Sequence, residues 1–499
     1  MEIEFITKTL NTYGEIVRQS KRIQDTAECV VPDTQDDAAE VADVEGWVFL
    51  KSKDITPAGV EINADVNILA LYINEKRDKV CSVRMTKSVH LLYELTDISP
   101  DCRAVIALSV SGVEARALNP RKLSAAFELT GELSCYLPEQ INSETEISEE
   151  HRPLIHCKNE SAEACAINAV CEKTFVINDQ FAIPSGKPAA EKICGCTAEF
   201  TVYDTQLIGT RLIAKGNVNV KLRYYSAEVD YPVTTEFVQP FSQIIDTGCE
   251  KTDITTVRIE LSGAYYELAD SISSERVLNV ELHAVMQLVS REKTEIKYLS
   301  DAYSNLMNCN CIMRPRRLKQ TEPAQKLKLS ADERIELMPD CADVISADVR
   351  CERIGTDGEN VRAFISVNVI YRDKAGLLGV THRLLELKTA QPCKQLQFLS
   401  KRLTDVFIRP ELPALNVRIS MELEYIISRT LELEELERVE LDEEKPYEKN
   451  TFAGVYLVRA ENETLWELAK KYHSSVEKIR ELNDTEDYQG KMLIIAKTK

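Results

Sequence analysis

The chain has 499 residues, 44% of them hydrophobic, and 81 acidic against 61 basic side chains give it a net charge of −20. That length suits roughly three or four domains, and the charge sets nucleic acid and anionic membranes apart as main partners, since both repel it. No run of about 18 uncharged apolar residues occurs, so no membrane insertion is expected. The opening MEIEFITKTLNTYGEIVRQSKRIQ carries charges throughout, unlike a secretory leader, and a protein starting in the cytoplasm is expected. Fifteen scattered cysteines, an odd number without a leader, read as reduced core residues.

In chain order, the first recognisable element is ECVVPDTQDD, Glu28 to Asp37, with its apolar-Pro step Val31-Pro32-Asp33. The acidic cluster Asp33, Asp36, Asp37, Glu40, Asp43 and Glu45 lacks the glycine and terminal Glu spacing of a calcium loop and reads as a solvated face. VNILALY, Val66 to Tyr72, then alternates as a strand, and RKLSAAFEL from Arg121 closes the unit. The same order returns twice. Ile183-Pro184-Ser185, VNVKLRY (Val218 to Tyr224) and RVLNVELHA from Arg276 form the second set; Met338-Pro339-Asp340, ISVNVIY (Ile365 to Tyr371) and PALNVRISM from Pro413 form the third. Pro32 precedes Tyr72 by the same interval as Pro184 precedes Tyr224, while Pro339 stands closer to Tyr371.

A mainly β protein follows: three homologous β-rich, sandwich-like domains over 1–142, 151–312 and 327–430. SETEISEE (Ser143 to Glu150) and MRPRRLKQTEPAQK (Met313 to Lys326) read as linkers between them. Residues 431–450, with nine acidic against three basic side chains, read as an acidic linker, helical or disordered.

Residues 451–499 hold eight basic and eight acidic residues, so the whole net charge lies upstream. Val455 to Ala460 reads as a strand; Leu465, Leu468, Ala469 and Tyr472 take helical spacing behind a Thr464–Glu467 capping box; Ser474 with Glu477 opens a second helix; Met492 to Ala496 closes with a strand. This βααβ order, with Tyr456, Val458, Thr464-Leu465-Trp466, Leu468-Ala469, Tyr472, Val476, Ile479, Leu482-Asn483 and Gly490-Lys491, resembles a LysM domain, a small α+β fold. The resemblance implies a glycan groove built from Asn462, Glu463, Thr464, Leu465, Ile479 and Asn483. Where that family usually has Gly-Asp before the Thr, this chain has Asn462-Glu463 and so lacks a glycine suited to a tight turn against a sugar. Ala496 also stands where a proline is usual.

A LysM module behind such repeats is similar to the clostridial spore-coat morphogenetic proteins, in which SPOCS domains precede one LysM domain; Glu28 to Asp37 and Pro240-Phe241 carry that likeness. It implies a non-enzymatic scaffold in the mother-cell cytoplasm at the forespore surface, part of the spore coat. Its LysM domain would dock on a SpoIVA-like coat-basement ATPase, with other coat proteins as further partners. Thr464, Leu465 and Trp466 with Ile479, Arg480 and Leu482 are the expected docking residues. The alternative ligand is peptidoglycan of the cortex or wall.

No H-E-x-x-H, G-x-S-x-G or Walker-A pattern occurs and the six histidines are scattered, so neither catalysis nor a cofactor is expected. Cys194-Gly-Cys196 and Cys309-Asn-Cys311 lack the usual zinc spacing and read as strand pairs, with no metal.

Overall fold

The computed structural model describes residues 3–96, 98–270, 276–390, 396–447, 454–483 and 488–497. Strand accounts for 77% of the chain and helix for 3%. The first repeat runs through β1 (Phe5–Val30), β2 (Ala38–Thr56), β3 (Gly59–Asn74), β4 (Val80–Glu94), β5 (Arg103–Asn119) and β6 (Lys122–Ile147). Strands β2-β3-β4 form one antiparallel sheet, and β1-β6-β5 lie in a second. The facing sheets enclose one core, in which Val60, Ile62, Val66, Ile68 and Tyr72 of β3 meet Leu123, Phe127 and Leu129 of β6.

The second repeat copies this plan with β7 (His156–Ala182), β8 (Lys192–Ile208), β9 (Arg211–Tyr225), β10 (Val233–Asp246), β11 (Ile254–Asp270) and β12 (Arg276–Tyr303), as sheets β8-β9-β10 and β7-β12-β11. In the third, Pro323 falls where the first strand divides into β13 (Met307–Thr321) and β14 (Gln325–Glu336). Then follow β15 (Cys341–Thr356), β16 (Asn360–Asp373), β17 (Leu378–Ala390), β18 (Leu396–Glu411) and the long β19 (Ala414–Pro446). Sheet β15-β16-β17 faces β14-β19-β18, and β13 pairs with the far half of β19.

The recurring sequence elements now have physical reasons. The alternating segments are the middle strands β3, β9 and β16, and in β9 Val218, Val220, Leu222 and Tyr224 are all essentially inaccessible. In the first two repeats the tyrosine ties the strand to the proline loop: the Tyr72 hydroxyl donates to the Asp36 carbonyl at 3.0 Å and that of Tyr224 to the Pro188 carbonyl at 2.8 Å, 36 residues back in each case. A residue at or just before the start of the closing strand accepts a bond from the residue just past the first strand in all three repeats: Val31 N–H to the Arg121 carbonyl, Ile183 to Arg276 and Leu337 to Pro413. Arg121 also braces its loop, reaching Asp33 and Asp37 at 2.7 and 2.8 Å. The third repeat has almost no loop, since β15 starts at Cys341, and this accounts for the shorter Pro339 to Tyr371 interval. Pro240 sits on the edge strand β10, the position in a sheet where proline is tolerated. Its neighbour Phe241 covers Gly216, at which a Cβ would stand 2.6 Å from the ring.

The first and last strands of each repeat run past their sandwich as a two-stranded ribbon. Pairing continues to Phe5↔Ile147, His156↔Tyr303 and Met307↔Pro446. The three ribbons share a core: Leu10 and Ile141 meet Ala164 and Ile296, and these meet Leu318, Leu431 and Leu433. Farther out Ile3, Ile147, Ile155, Leu299, Leu436 and Val439 form a second shared layer.

The segments expected as linkers therefore lie elsewhere. Residues 143–147 end β6, and the basic 313–321 pairs with the acidic 428–436 as β13 against β19. Arg317 bonds Glu432 at 2.8 Å, and Arg314 and Arg316 reach the fully buried Glu435 at 3.0 and 2.6 Å. Each stretch looks solvated by itself; opposite charges across a ladder favour the pair.

The repeats meet again through the sheets of their middle strands. Arg223 of β9, only 3% exposed, contacts Asp43 of β2 at 3.0 Å, Glu45 at 3.3 Å and Asp348 of β15 at 2.8 Å. Lys221 reaches Asp348 at 2.7 Å, Arg350 contacts Asp43, and Asn368 of β16 donates to Asp43 at 2.7 Å. Three carboxylates and three cations from three repeats thus cancel. Burial alone would raise Asp43, yet Arg350 and Arg223 hold its carboxyl far below the usual range. The acidic cluster is consequently a solvated face only in part: Asp33 and Asp36 are exposed, Asp33 while holding Arg121, whereas Asp43 is buried and holds Arg223 together with Glu45.

Candidate partner-binding site

The C-terminal module is β20 (Val455–Arg459), α1 (Leu465–Tyr472), α2 (Val476–Asn483) and β21 (Met492–Ala496), with β20 and β21 antiparallel. Thr464 caps α1: its hydroxyl accepts from Glu467 N–H at 3.2 Å and the Glu467 carboxylate accepts from Thr464 N–H at 2.7 Å, the reciprocal box. These bonds hold the Glu467 carboxyl below its ordinary value. The second helix is capped by Ser475, which accepts from Lys478 N–H at 3.2 Å, and not by Ser474. Ser474 is buried and donates to the Ala496 carbonyl at 2.6 Å, because His473 ends α1 in the left-handed conformation and turns the chain inward.

Leu465, Leu468, Ala469, Ile479, Leu493 and Ile495 form the module's core, joined by Tyr303 at the end of β12. Leu465 and Ile479, expected to line a groove or a docking face, are therefore packing residues. Asn483 is committed as well. Its amide donates to the carbonyls of Ile479 and Ile494 and accepts from Ile494 N–H, all at 2.7 Å, pinning α2 to β21. Glu463 pairs with Lys471 at 3.3 Å. Asn462, Thr464, Arg480 and Leu482 stay exposed, Leu482 at 40%.

Trp466 faces the repeats. Its indole N–H donates to Asp301 at 2.8 Å, and its ring meets Tyr303 edge-on with centroids 4.8 Å apart. Lys470, one turn along α1, contacts both Asp301 oxygens at 2.7 and 2.9 Å. The Tyr303 hydroxyl donates to the Ser474 carbonyl at 2.8 Å, and Asn305 reaches the same oxygen at 3.2 Å. Burial, then the nearby Glu477 and Asp301, push the Tyr303 phenol well up, so it stays a donor. Behind it His156 stacks at 4.9 Å, its imidazole lowered by burial. Asp301, Tyr303 and Asn305 carried no sequence signal, since they stand more than 160 residues before Trp466 and Ser474, their partners in the module.

The described cysteines are free thiols. Among the described residues no group of three or more His, Cys, Asp or Glu is arranged to hold a metal, and no helix is long and apolar enough to cross a membrane.

With this geometry in hand, two family models match the chain. The SPOCS-domain model covers residues 189–269, from just before β8 to the end of β11, and the LysM-domain model covers 457–495. No curated protein and no solved structure matches it. Both are families of non-catalytic domains, and the two matches support a sporulation-related adaptor with a domain of a peptidoglycan-binding family. Within that class the chain is SipL-like, with a C-terminal LysM domain. Strands β2–β5 and β15–β18 hold the same topological places in the other two repeats as the matched segment does in the second.

Proposed function

We propose that the protein is a non-enzymatic scaffold of spore-coat assembly, acting at the forespore surface in the mother-cell cytoplasm. It joins a SpoIVA-like coat-basement ATPase, bound through the LysM module, to other coat proteins bound through the repeats. The observation that supports this reading is the way the module is carried. Trp466 and Lys470 fix it to the repeats, while Asn462, Thr464, Arg480 and Leu482 face outward, so a partner there is held in a set orientation to three large β surfaces. An exposed arginine and an exposed leucine on the same helix suit a protein partner. The LysM family match supports a second reading, peptidoglycan binding at the cortex or wall.

Titration of the full chain with the ATPase and, in parallel, with a peptidoglycan fragment separates the two. The scaffold reading expects ATPase binding that weakens about tenfold or more in Leu482→Glu or Arg480→Glu. Glycan binding without ATPase binding would overturn it.

A further inference from the structure

Directly beneath the mount of the LysM module lies a thiol pair that no part of the proposed function uses. After Tyr303 the chain turns and returns as β13, where Cys309 and Cys311 project side by side with their sulfurs 3.7 Å apart. Both thiols are partly exposed. Residues two apart on a strand stand about 6.6 Å apart at Cα, inside the roughly 4.4–6.8 Å that disulfides span, but their Cβ atoms point the same way and stand about as far apart, beyond the roughly 3.5–4.5 Å a disulfide needs, so a bridge forms only as the strand contracts there. The ladder is regular from Cys309 to Ile312 and irregular on either side, between Met307 and Cys309 and between Ile312 and Met313, so a bridge disturbs the pairing of Cys309, Asn310 and Cys311 with Leu441, Glu440 and Val439.

The pair is wired to the mount. The Cys311 S–H donates to the Ala302 carbonyl at 3.2 Å. Ala302 lies between Asp301 and Tyr303, and its own N–H donates to the Asp301 carboxylate at 2.9 Å. That carboxylate is the acceptor for both Trp466 and Lys470. One peptide unit therefore connects the sulfur to the residue that holds the module.

We propose that Cys309 and Cys311 form a thiol–disulfide exchange site for small-molecule disulfides, and that oxidation of the pair loosens the LysM module from Asp301 and Tyr303. The Cys311 thiolate attacks one sulfur of the disulfide, forming a mixed disulfide and releasing one thiolate. Cys309 then attacks Cys311 Sγ, expels the second thiolate and gives up its proton. Two electrons pass to the small disulfide, which leaves as two thiols. Either sulfur can be the donor in the contact between them; where Cys309 donates, the bond favours the Cys311 thiolate and makes Cys311 the attacking member. Once bridged, Cys311 has no S–H to give, and the Ala302 carbonyl loses its donor.

The test uses the full chain carrying Trp47→Phe, so that Trp466 alone reports by fluorescence, treated with oxidised glutathione. The expected result is loss of two hydrogens from the protein, protection of both cysteines from iodoacetamide until reduction, and a red shift of Trp466 emission that dithiothreitol reverses. Cys309→Ser should stall with glutathione on Cys311, and Cys311→Ser, which keeps a hydroxyl donor for Ala302, should show neither bridge nor shift. Continued alkylation of the pair, a bridge from either cysteine to Cys157, or a 309–311 bridge that leaves Trp466 emission unchanged would each overturn the proposal.

Discussion

Trp466 and Asp301, 165 residues apart in sequence, are joined by a 2.8 Å hydrogen bond from the indole N–H to the carboxylate, and the same carboxylate receives Lys470. The bond makes a small C-terminal module part of the repeat body. Asp301→Ala removes the acceptor of a part-buried indole and should cost about 1–3 kcal/mol at that contact. In a Trp47→Phe background, Trp466 emission is expected to move to the red while the β-sheet circular dichroism stays. An unshifted spectrum would show that packing on Tyr303 alone holds the module.

Arg223 sits where three repeats meet. Truncation to Ala leaves Asp43 and Asp348 facing each other with less compensation, and losing one partner of a buried pair costs about 3–5 kcal/mol. A clear drop in urea midpoint is expected, and repeats that unfolded in separate steps would show that the cluster couples them.

The acid response of the cluster has a definite sign. Asp43 has a depressed carboxyl in the folded state, so its contribution is complete above its unfolded value of about 3.9 and fades as pH falls below it. Wild type should exceed Asp43→Asn by a constant margin from pH 7 to about pH 5, and the margin should narrow towards pH 3. Urea midpoints at each pH measure it.

Glu260 of β11 behaves oppositely. Burial raises its carboxyl to about 8, against weaker lowering by Arg258 and a backbone bond from Leu108. Between about pH 4.3, where the unfolded side chain ionises, and about 8, the folded chain keeps a proton that the unfolded chain has lost. Stability from this residue therefore falls as pH rises through that window. Glu260→Gln should gain on wild type progressively from pH 5 to 8, and parallel profiles would refute it.

In the module, Asn483 makes three 2.7 Å bonds to main chain. Asn483→Ala should speed amide exchange at Ile494, whose N–H it accepts, by ten-fold or more. An unchanged exchange rate there would return Asn483 to the ligands of the groove.

Local order was readable wherever period and chemistry agree. The middle strands showed themselves because Val218, Val220, Leu222 and Tyr224 alternate, and α1 because Thr464 and Glu467 make a box that needs no tertiary help. Charge composition misled where tertiary pairing decides. Leu431, Leu433 and their glutamates alternate as a strand does, yet nine acidic residues suggested solvent; only the basic face of β13 makes that strand stable. Arg223 and Asp43 likewise occupy the polar side of their strands, which looked outward until the neighbouring repeats covered it. The site was legible as a fold and not as a surface, since burial of Leu465 and engagement of Trp466 depend on Tyr303 and Asp301, residues that no spacing rule connects to the module.

The shared ribbons bear on how binding regions could be mapped. A chain cut at residue 430 removes the strand that β13 pairs with, and one begun at 151 removes Ile3, Leu10, Ile141 and Ile147 from layers that all three repeats build. Truncation series would report the collapse of a common scaffold as loss of a local contact, and every segment would score as essential. Point substitutions on the outward faces, which leave the ribbons whole, are the informative way to assign partners to individual repeats.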